Sequence, residues 1–243
     1  MTCHRLSIRA LRSHALLVAL LGTAALWPAG ASAQADYPNK PVMLVTAFAP
    51  GSGPDATLRM VADKLGKLWA QRVQVENRPG GGGFIAMDAV KRAAPDGYTL
   101  LQLDSDHLAA VPQLYKQKGV EALKSFEPVA SIFRTTFLVA VATDSPFKSM
   151  ADIVPTAAQA GGPADFDVNA FVVLVAPKGL PVAVRNKVNT DMAKVLADPE
   201  VKARFDTFAF EPISGSADEI TRAAEVKSKV YEQLVKKANI SLE

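Results

Sequence analysis

Short apolar runs alternate with helical segments in the first half of this 243-residue chain, and that alternation constrains the fold most. Residues 42–47, 73–76 and 99–103 are runs of strand length between turn-forming residues. Helices are predicted over residues 55–68 and 84–93. A strand–helix–strand–helix–strand order favours parallel strands joined by right-handed crossovers. The sequence therefore predicts an α/β fold with a parallel-rich sheet and flanking helices.

The second half of the chain predicts further elements in a less regular order. Three more strands are predicted, at residues 128–133, 137–143 and 171–176. Helices are predicted at residues 107–115, 149–153, 182–196, 199–208 and 216–238. Residues 154–167 are rich in Ala, Gly and Pro and are predicted to be mostly loop. Ser216 and Glu219 have the spacing of a capping box, which predicts where the last helix begins.

The first 35 residues have the order of a cleavable secretory leader. Its positive region contains Arg5, Arg9 and Arg12 and no acid. The uncharged apolar run at 15–26 is well short of the ~20 residues that cross a bilayer. We predict cleavage after Ala33 or Ala35 and a periplasmic location. Removal of the three leader arginines leaves as many basic as acidic residues, so no global basic field attracts nucleic acid.

Cleavage would also remove most of the reactive side chains. The chain after the leader has no cysteine and one histidine, His107. This excludes disulfides, thiol catalysis and zinc–thiolate sites. A Ser-His-Asp triad would have to use His107, and no nucleophile-elbow motif is present. The composition therefore favours ligand binding over catalysis, and we predict that the protein is not an enzyme.

Three loops follow the first three predicted strands, at residues 48–54, 77–83 and 104–107. Ligands of open α/β sheets bind beyond the carboxyl ends of the strands. The first loop leads into a helix N-terminus, where free N–H groups and the helix dipole favour a carboxylate. An ordinary strand–helix turn would explain the same glycines. From spacing alone both interpretations stay open.

Two alternatives involve a cofactor or a metal. Gly81, Gly83 and Ala86 match the dinucleotide fingerprint, and Asp104 stands where a ribose-binding acid would, which would indicate a nucleotide-dependent oxidoreductase. The longer turn at residues 78–79 and the predicted secretion argue against it. The acids of the 104–107 loop and its histidine could surround a metal, but close polar loop residues are usually solvated. We predict no cofactor and no metal.

Several segments occur together in an order that is more specific than any one of them. They are YPNKP at 37–41, FAPGSGPD at 48–55, VENRPG at 75–80, APDGYTL at 94–100, FEPV at 126–129, VPT at 154–156, APKGLP at 176–181 and LADPEV at 196–201. In this order they resemble the substrate-binding proteins of tripartite tricarboxylate transporters, also called Bug-type periplasmic solute receptors. The resemblance implies two α/β lobes that close on a small carboxylate.

One departure from that family stands between residues 153 and 154. Roughly eighty residues of the family's second lobe are absent there, about the size of a small domain. The resemblance therefore implies one lobe of a type II periplasmic binding protein fold, with the second lobe largely deleted. The implied organisation is a signal peptide at 1–35, the N-terminal part of lobe 1 at 36–142, a residual second-lobe or linker segment at 143–167, and the C-terminal part of lobe 1 at 168–243.

The resemblance implies extracytoplasmic capture of a small carboxylate or amino acid for the membrane permease subunits of such a transporter. The predicted ligand-binding residues are Phe48, Ala49, Pro50, Gly51, Ser52, Gly53, Asp55, Gly82, Ser105, Asp106 and His107. The two acids at 104 and 106 would repel a dicarboxylate unless they are offset. With one lobe missing we expect weak binding or none, by a monomer or weak dimer. The alternative is a non-binding remnant or interaction protein with an apolar surface near residues 133–147.

Overall fold

The computed structural model describes residues 36–115, 122–135, 137, 139–159, 169–240 and 242. The predicted leader and its cleavage sites lie outside these residues. The chain divides after Tyr37 into two units, and the second, Pro38–Glu243, contains all of the elements described below. Within the described part of the chain, no helix combines the length and the hydrophobicity needed to cross a membrane.

Six strands form one mixed sheet. They are β1 (Val42–Thr46), β2 (Val73–Asn77), β3 (Thr99–Asp104), β4 (Phe126–Thr135), β5 (Ala170–Pro177) and β6 (Phe210–Pro212). The sheet order is β2–β1–β3–β5–β4–β6. As predicted, β1 pairs in parallel with β2 and with β3. The pairs β3–β5, β4–β5 and β4–β6 are antiparallel. The predicted α/β class with flanking helices is confirmed.

The helices surround this sheet. They are α1 (Gly53–Trp69), α2 (Phe84–Lys91), α3 (Ser105–Ala109), α4 (Val111–Leu114), α5 (Ala122–Ser125), α6 (Met150–Gln159), α7 (Val182–Ala197), α8 (Pro199–Asp206) and α9 (Ala217–Ala238). A short 3₁₀ turn, Gly81–Gly83, precedes α2. The predicted capping box is present at the start of α9, where Ser216 and Glu219 bond reciprocally.

The local sequence explains where helix α1 begins and ends and which of its faces is buried. Ser52 caps its N-terminus, and it ends at Ala70, which adopts a left-handed conformation. Its buried face contains Leu58, Val61 and Leu65, as the spacing predicts. The next apolar residue, Leu68, is exposed, and Trp69, four residues after Leu65, is buried.

The core lies between the sheet and its helices. Strand β5 occupies a central place, and residues Val172–Ala176 are almost completely buried. A strand covered on both faces needs no alternation of polar and apolar residues, which explains the continuous apolar run FVVLVA. Leu101 and Val175 from the sheet share one buried cluster with Met87 of α2 and Ile220 of α9.

The predicted strand at 137–143 is wrong. None of its described residues is in a strand, and Phe137, Val139 and Val141 are 52%, 56% and 46% exposed. Apolar residues form a strand only where a neighbouring strand accepts their backbone hydrogen bonds. No such neighbour exists for this segment among the described residues.

The predicted loop at 154–167 is wrong over its first six residues. Helix α6 continues past residue 153 to Gln159 and contains Pro155. Its alanine-rich sequence favours a helix, and Asp152 accepts the backbone N–H groups of Lys148 and Ser149 at its start. Residues 160–167 lie outside the described part. The sequence prediction also missed β6, because a three-residue strand has no detectable period.

Candidate functional site

The loops after β1, β2 and β3 lie at one edge of the sheet. The parallel register pairs Thr46 at the end of β1 with Asn77 on one side and Gln102 on the other. The carboxyl ends of β1, β2 and β3 therefore lie side by side at one edge of the sheet. The first and third loops also meet directly, because the rings of Phe48 and His107 contact edge to face at 6.1 Å between centroids. All eleven predicted ligand-binding residues belong to these loops or to the first turns of α1 and α3.

The β1 loop is a tight turn held by Ser52. The Ser52 hydroxyl donates to the carbonyl of Ala49 at 2.7 Å and accepts the N–H of Asp55 at 3.4 Å. Gly51 has a φ of 80°, which glycine adopts without strain. Ala49, Pro50 and Gly51 are exposed at the surface. The N–H groups of Ala49 and Gly53 have no partner in the described part of the chain; Ala49 is exposed, and Gly53 is half-buried beside the rings of Phe208 and Phe210.

Asp55 has its carboxylate occupied by the protein itself. The side chain is 2% exposed and accepts hydrogen bonds from Gly51 N at 2.8 Å, Asn77 Nδ2 at 2.7 Å and Arg59 Nε at 3.2 Å. Asn77 Nδ2 also donates to the carbonyl of Phe48 at 3.1 Å. Burial alone would raise the pKa of Asp55, but these hydrogen bonds and the Arg59 charge lower it. Asp55 therefore positions the β1 loop against β2.

Asn77 and Arg59 were absent from the predicted set, although both belong to this network. Arg59 follows Asp55 by four residues, the spacing of an ion pair on one helix face, and a contact of 3.1 Å joins the two side chains. Arg59 also donates to Asn77 Oδ1 at 2.6 Å. The signal for Asn77 was its place at the end of β2, directly beside the β1 loop.

A second polar network lies beneath the loop, inside the sheet. Thr46 Oγ1 donates to Gln102 Oε1 at 2.6 Å and accepts the N–H of Phe48 at 3.1 Å. Gln102 Nε2 donates to the carbonyl of Pro54 at 3.2 Å. Thr46 and Gln102 are fully buried. Both buried side chains have hydrogen-bond partners, and these bonds fix the positions of β1, β3 and the start of α1 relative to one another.

The two acids of the β3 loop are both engaged. Asp104 Oδ1 accepts from the N–H groups of Asp106 and His107 and contacts His107 Nδ1 at 2.6 Å. Burial would raise the pKa of Asp104, but the hydrogen bonds and the charge of His107 lower it. Asp106 Oδ1 accepts from the Tyr231 hydroxyl of α9 at 2.8 Å. Ser105 is buried, and its hydroxyl has no partner in the described structure.

These acids and His107 do not form a metal site, since no group of three His, Cys, Asp or Glu side chains among the described residues could hold an ion. The loop after β2 ends in four glycines, Gly80–Gly83, which we call the glycine loop, and all four have positive φ. Gly81 and Gly82 are exposed, and their N–H groups are unpartnered within the described ranges.

Two concave surfaces lie away from the three loops. One, of about 440 Å³, is lined by α7, α8 and residues 211–214. The other, of about 130 Å³, lies between Val129, α7 and the first turn of α9. Neither is lined by any of the predicted ligand-binding residues.

Comparison with known proteins identifies relatives of this chain. A family profile described as the tripartite tricarboxylate transporter family receptor, TctC, matches residues 57–164. A UPF0065 protein of Bordetella bronchiseptica is 36% identical over 150 residues, which are 59% of this chain and 44% of that protein. The chain thus spans less than half the length of this curated relative.

The fold is also found in solved structures. An R. palustris protein solved with adipate superposes with a TM-score of 0.70 at 20% identity, covering 84% of this chain and 99% of that one. MatC from Rhodopseudomonas palustris, with bound malate, gives a TM-score of 0.65 at 19% identity, covering 82% of this chain and 100% of that one. The relatives are receptors rather than enzymes. The oxidoreductase alternative therefore has no support among them.

Proposed function

We propose that this chain is an extracytoplasmic receptor for a small carboxylate or amino acid, and the match of the tripartite tricarboxylate transporter receptor profile to residues 57–164 supports the proposal. It would be exported by its leader, cleaved after Ala33 or Ala35, and would deliver its ligand to the permease subunits of such a transporter. Residues 36–142 and 168–243 would form the retained lobe, and residues 143–167 would be a remnant of the second.

The β1 loop carries the proposal. Its residues Ala49, Pro50 and Gly51 are exposed, and the N–H groups of Ala49 and of Gly53, the first residue of α1, have no partner among the described residues. The positive end of the helix dipole adds to the attraction for a carboxylate. The adipate and malate of the two structural relatives are dicarboxylates, and they support this class of ligand.

The affinity should be low. Receptors of this class bury most of a small ligand between two lobes, and a single lobe leaves one side of it in water. The pairing of Asp104 with His107 and the bond from Tyr231 to Asp106 partly offset the negative charge beside the site. We expect dissociation constants of about 1 mM, near 4 kcal/mol of binding free energy.

The test is calorimetry of the purified protein against citrate, tartrate, malate, adipate, glutamate, aspartate and pyroglutamate. Gly51→Ala should weaken any binding, because φ at Gly51 is 80° and a side chain there would reshape the loop. Gly179→Ala is the matched control, since φ is 98°, the nearest atom to a new Cβ is 3.9 Å away, and Gly179 lies at the opposite edge of the sheet. Equal effects of the two variants, or no binding by any acid, would contradict the proposal. Micromolar binding by the monomer would contradict the expected weakness.

A second candidate function is that of a non-binding remnant or interaction protein. The observation that favours it is the exposure of Phe137, Val139 and Val141 in one segment. Sedimentation velocity separates the two candidates. Concentration-dependent association without any ligand binding supports this second function, and a monomer that binds a carboxylate supports the first.

A further inference from the structure

His107 is held rigidly where the three loops meet. Its Nδ1 contacts Asp104 Oδ1 at 2.6 Å, and its ring meets the edge of Phe48. Its backbone N–H also bonds to Asp104 at 2.9 Å. The side chain is 14% exposed. These contacts leave the imidazole no freedom to turn away from the sheet edge.

The other ring nitrogen faces the glycine loop. A Cβ placed on Gly83 would lie 2.4 Å from His107 Nε2 and 2.3 Å from Cδ2. Only a residue without a side chain allows the ring to approach this closely. Gly81 and Gly82, with their exposed and unpartnered N–H groups, come immediately before Gly83. Nε2 itself makes no hydrogen bond with the described residues.

The pairing with Asp104 decides what Nε2 can do. An ionised Asp104 accepts a proton-bearing Nδ1, so a neutral ring has its lone pair on Nε2. That lone pair would repel a carboxylate. When the ring is protonated, Nε2–H becomes a donor with positive charge, and it strengthens a hydrogen bond to an anion.

We infer that His107 binds the second carboxylate of a dicarboxylate ligand through Nε2–H, together with the glycine-loop amides, and that binding takes up a proton at His107. This inference rests on the proposed function, in which the β1 loop binds the first carboxylate. Asp104 is the charged group that contacts His107 within the described structure, and the side chain of the neighbouring Asp106 accepts a hydrogen bond from Tyr231 of α9. The charged residue of the loop at 77–83 is Arg78, which pairs with Glu76.

The sign of the pH dependence follows from this chemistry. Binding is strongest where the ring is already protonated and weakens as the pH rises above that range. The affinity should fall about tenfold per pH unit on the alkaline side. Adipate and malate should show this dependence, and hexanoate should not, because it has adipate's chain length but only one carboxylate.

The experiment is calorimetry with adipate, malate and hexanoate from about pH 6 to about pH 8, in buffers of different ionisation enthalpy. Uptake of about one proton per dicarboxylate on the alkaline side, absent in His107→Gln, supports the inference. Because proton uptake is measured on the unaltered protein, a His107→Gln variant that folds poorly does not remove the test. An NMR shift of the ring signal that is lost in His107→Gln identifies the same group at millimolar ligand.

The outcomes are distinguishable. Dicarboxylate binding that is independent of pH, or that is unchanged in a folded His107→Gln variant, overturns this inference and leaves the proposed function intact. Absence of binding by every acid at the lowest pH overturns both.

Discussion

Replacement of Asp55 by Ala should destabilise the protein by about 3 kcal/mol. The carboxylate is 2% exposed and accepts two shielded hydrogen bonds, from Gly51 N and Asn77 Nδ2. Each such bond to a charged group contributes at least about 1.5 kcal/mol. The contact with Arg59 adds less than about 1 kcal/mol, because the arginine side chain is 49% exposed and screened by water. Asn77 keeps its bond to Phe48, which limits the loss.

The same reasoning predicts how the loss depends on pH. The folded protein lowers the pKa of Asp55 below its ordinary value of 3.8. Its stabilisation is therefore fully present above that value and is lost as the pH falls through the lower, folded-state pKa. Urea unfolding of wild-type protein and Asp55→Ala at neutral pH, and again below pH 3.8, measures both effects. A difference below about 1 kcal/mol at neutral pH, or one that persists unchanged in acid, would refute the network.

Three further substitutions test other parts of the structure. Gly83→Ala should cost about 2 kcal/mol in urea unfolding and shift the His107 ring signal, because the new Cβ would clash with that ring. Asp191→Ala should cost about 3 kcal/mol and change the fluorescence of Trp69, whose Nε1 donates to the buried Asp191 at 2.8 Å. Ser216→Ala should lower stability by about 1 kcal/mol, measured by thermal unfolding, since the α9 capping box is lost.

The first half of the fold could be predicted because its signals are local. The apolar run at 42–47 became β1, and the turn that contains Ser52 and Asp55 became the cap of α1. Capping and helical spacing act over a few residues, so they can be read without knowing the neighbours. The parallel pairing of β1 with β2 and β3 followed from the crossovers.

The second half depends on contacts between distant residues. Strand β4 runs antiparallel to β5, and β6 pairs with β4 across 77 residues between Arg134 and Glu211. The run at 137–143 has the composition of a strand, but a strand forms only when another one is beside it. The composition of a segment does not show whether a neighbouring strand is present beside it.

The sequence by itself determined the α/β class, the three loops that meet at one sheet edge, and the motifs by which the chain resembles tripartite tricarboxylate transporter receptors. It did so because periodicity, capping and turn chemistry act locally. Only the tertiary structure decided the partners within that edge: Asp55 with Asn77, and His107 with Gly83. Each pair is more than twenty residues apart in the chain, so its contact exists only after the parallel register has brought the strand ends together.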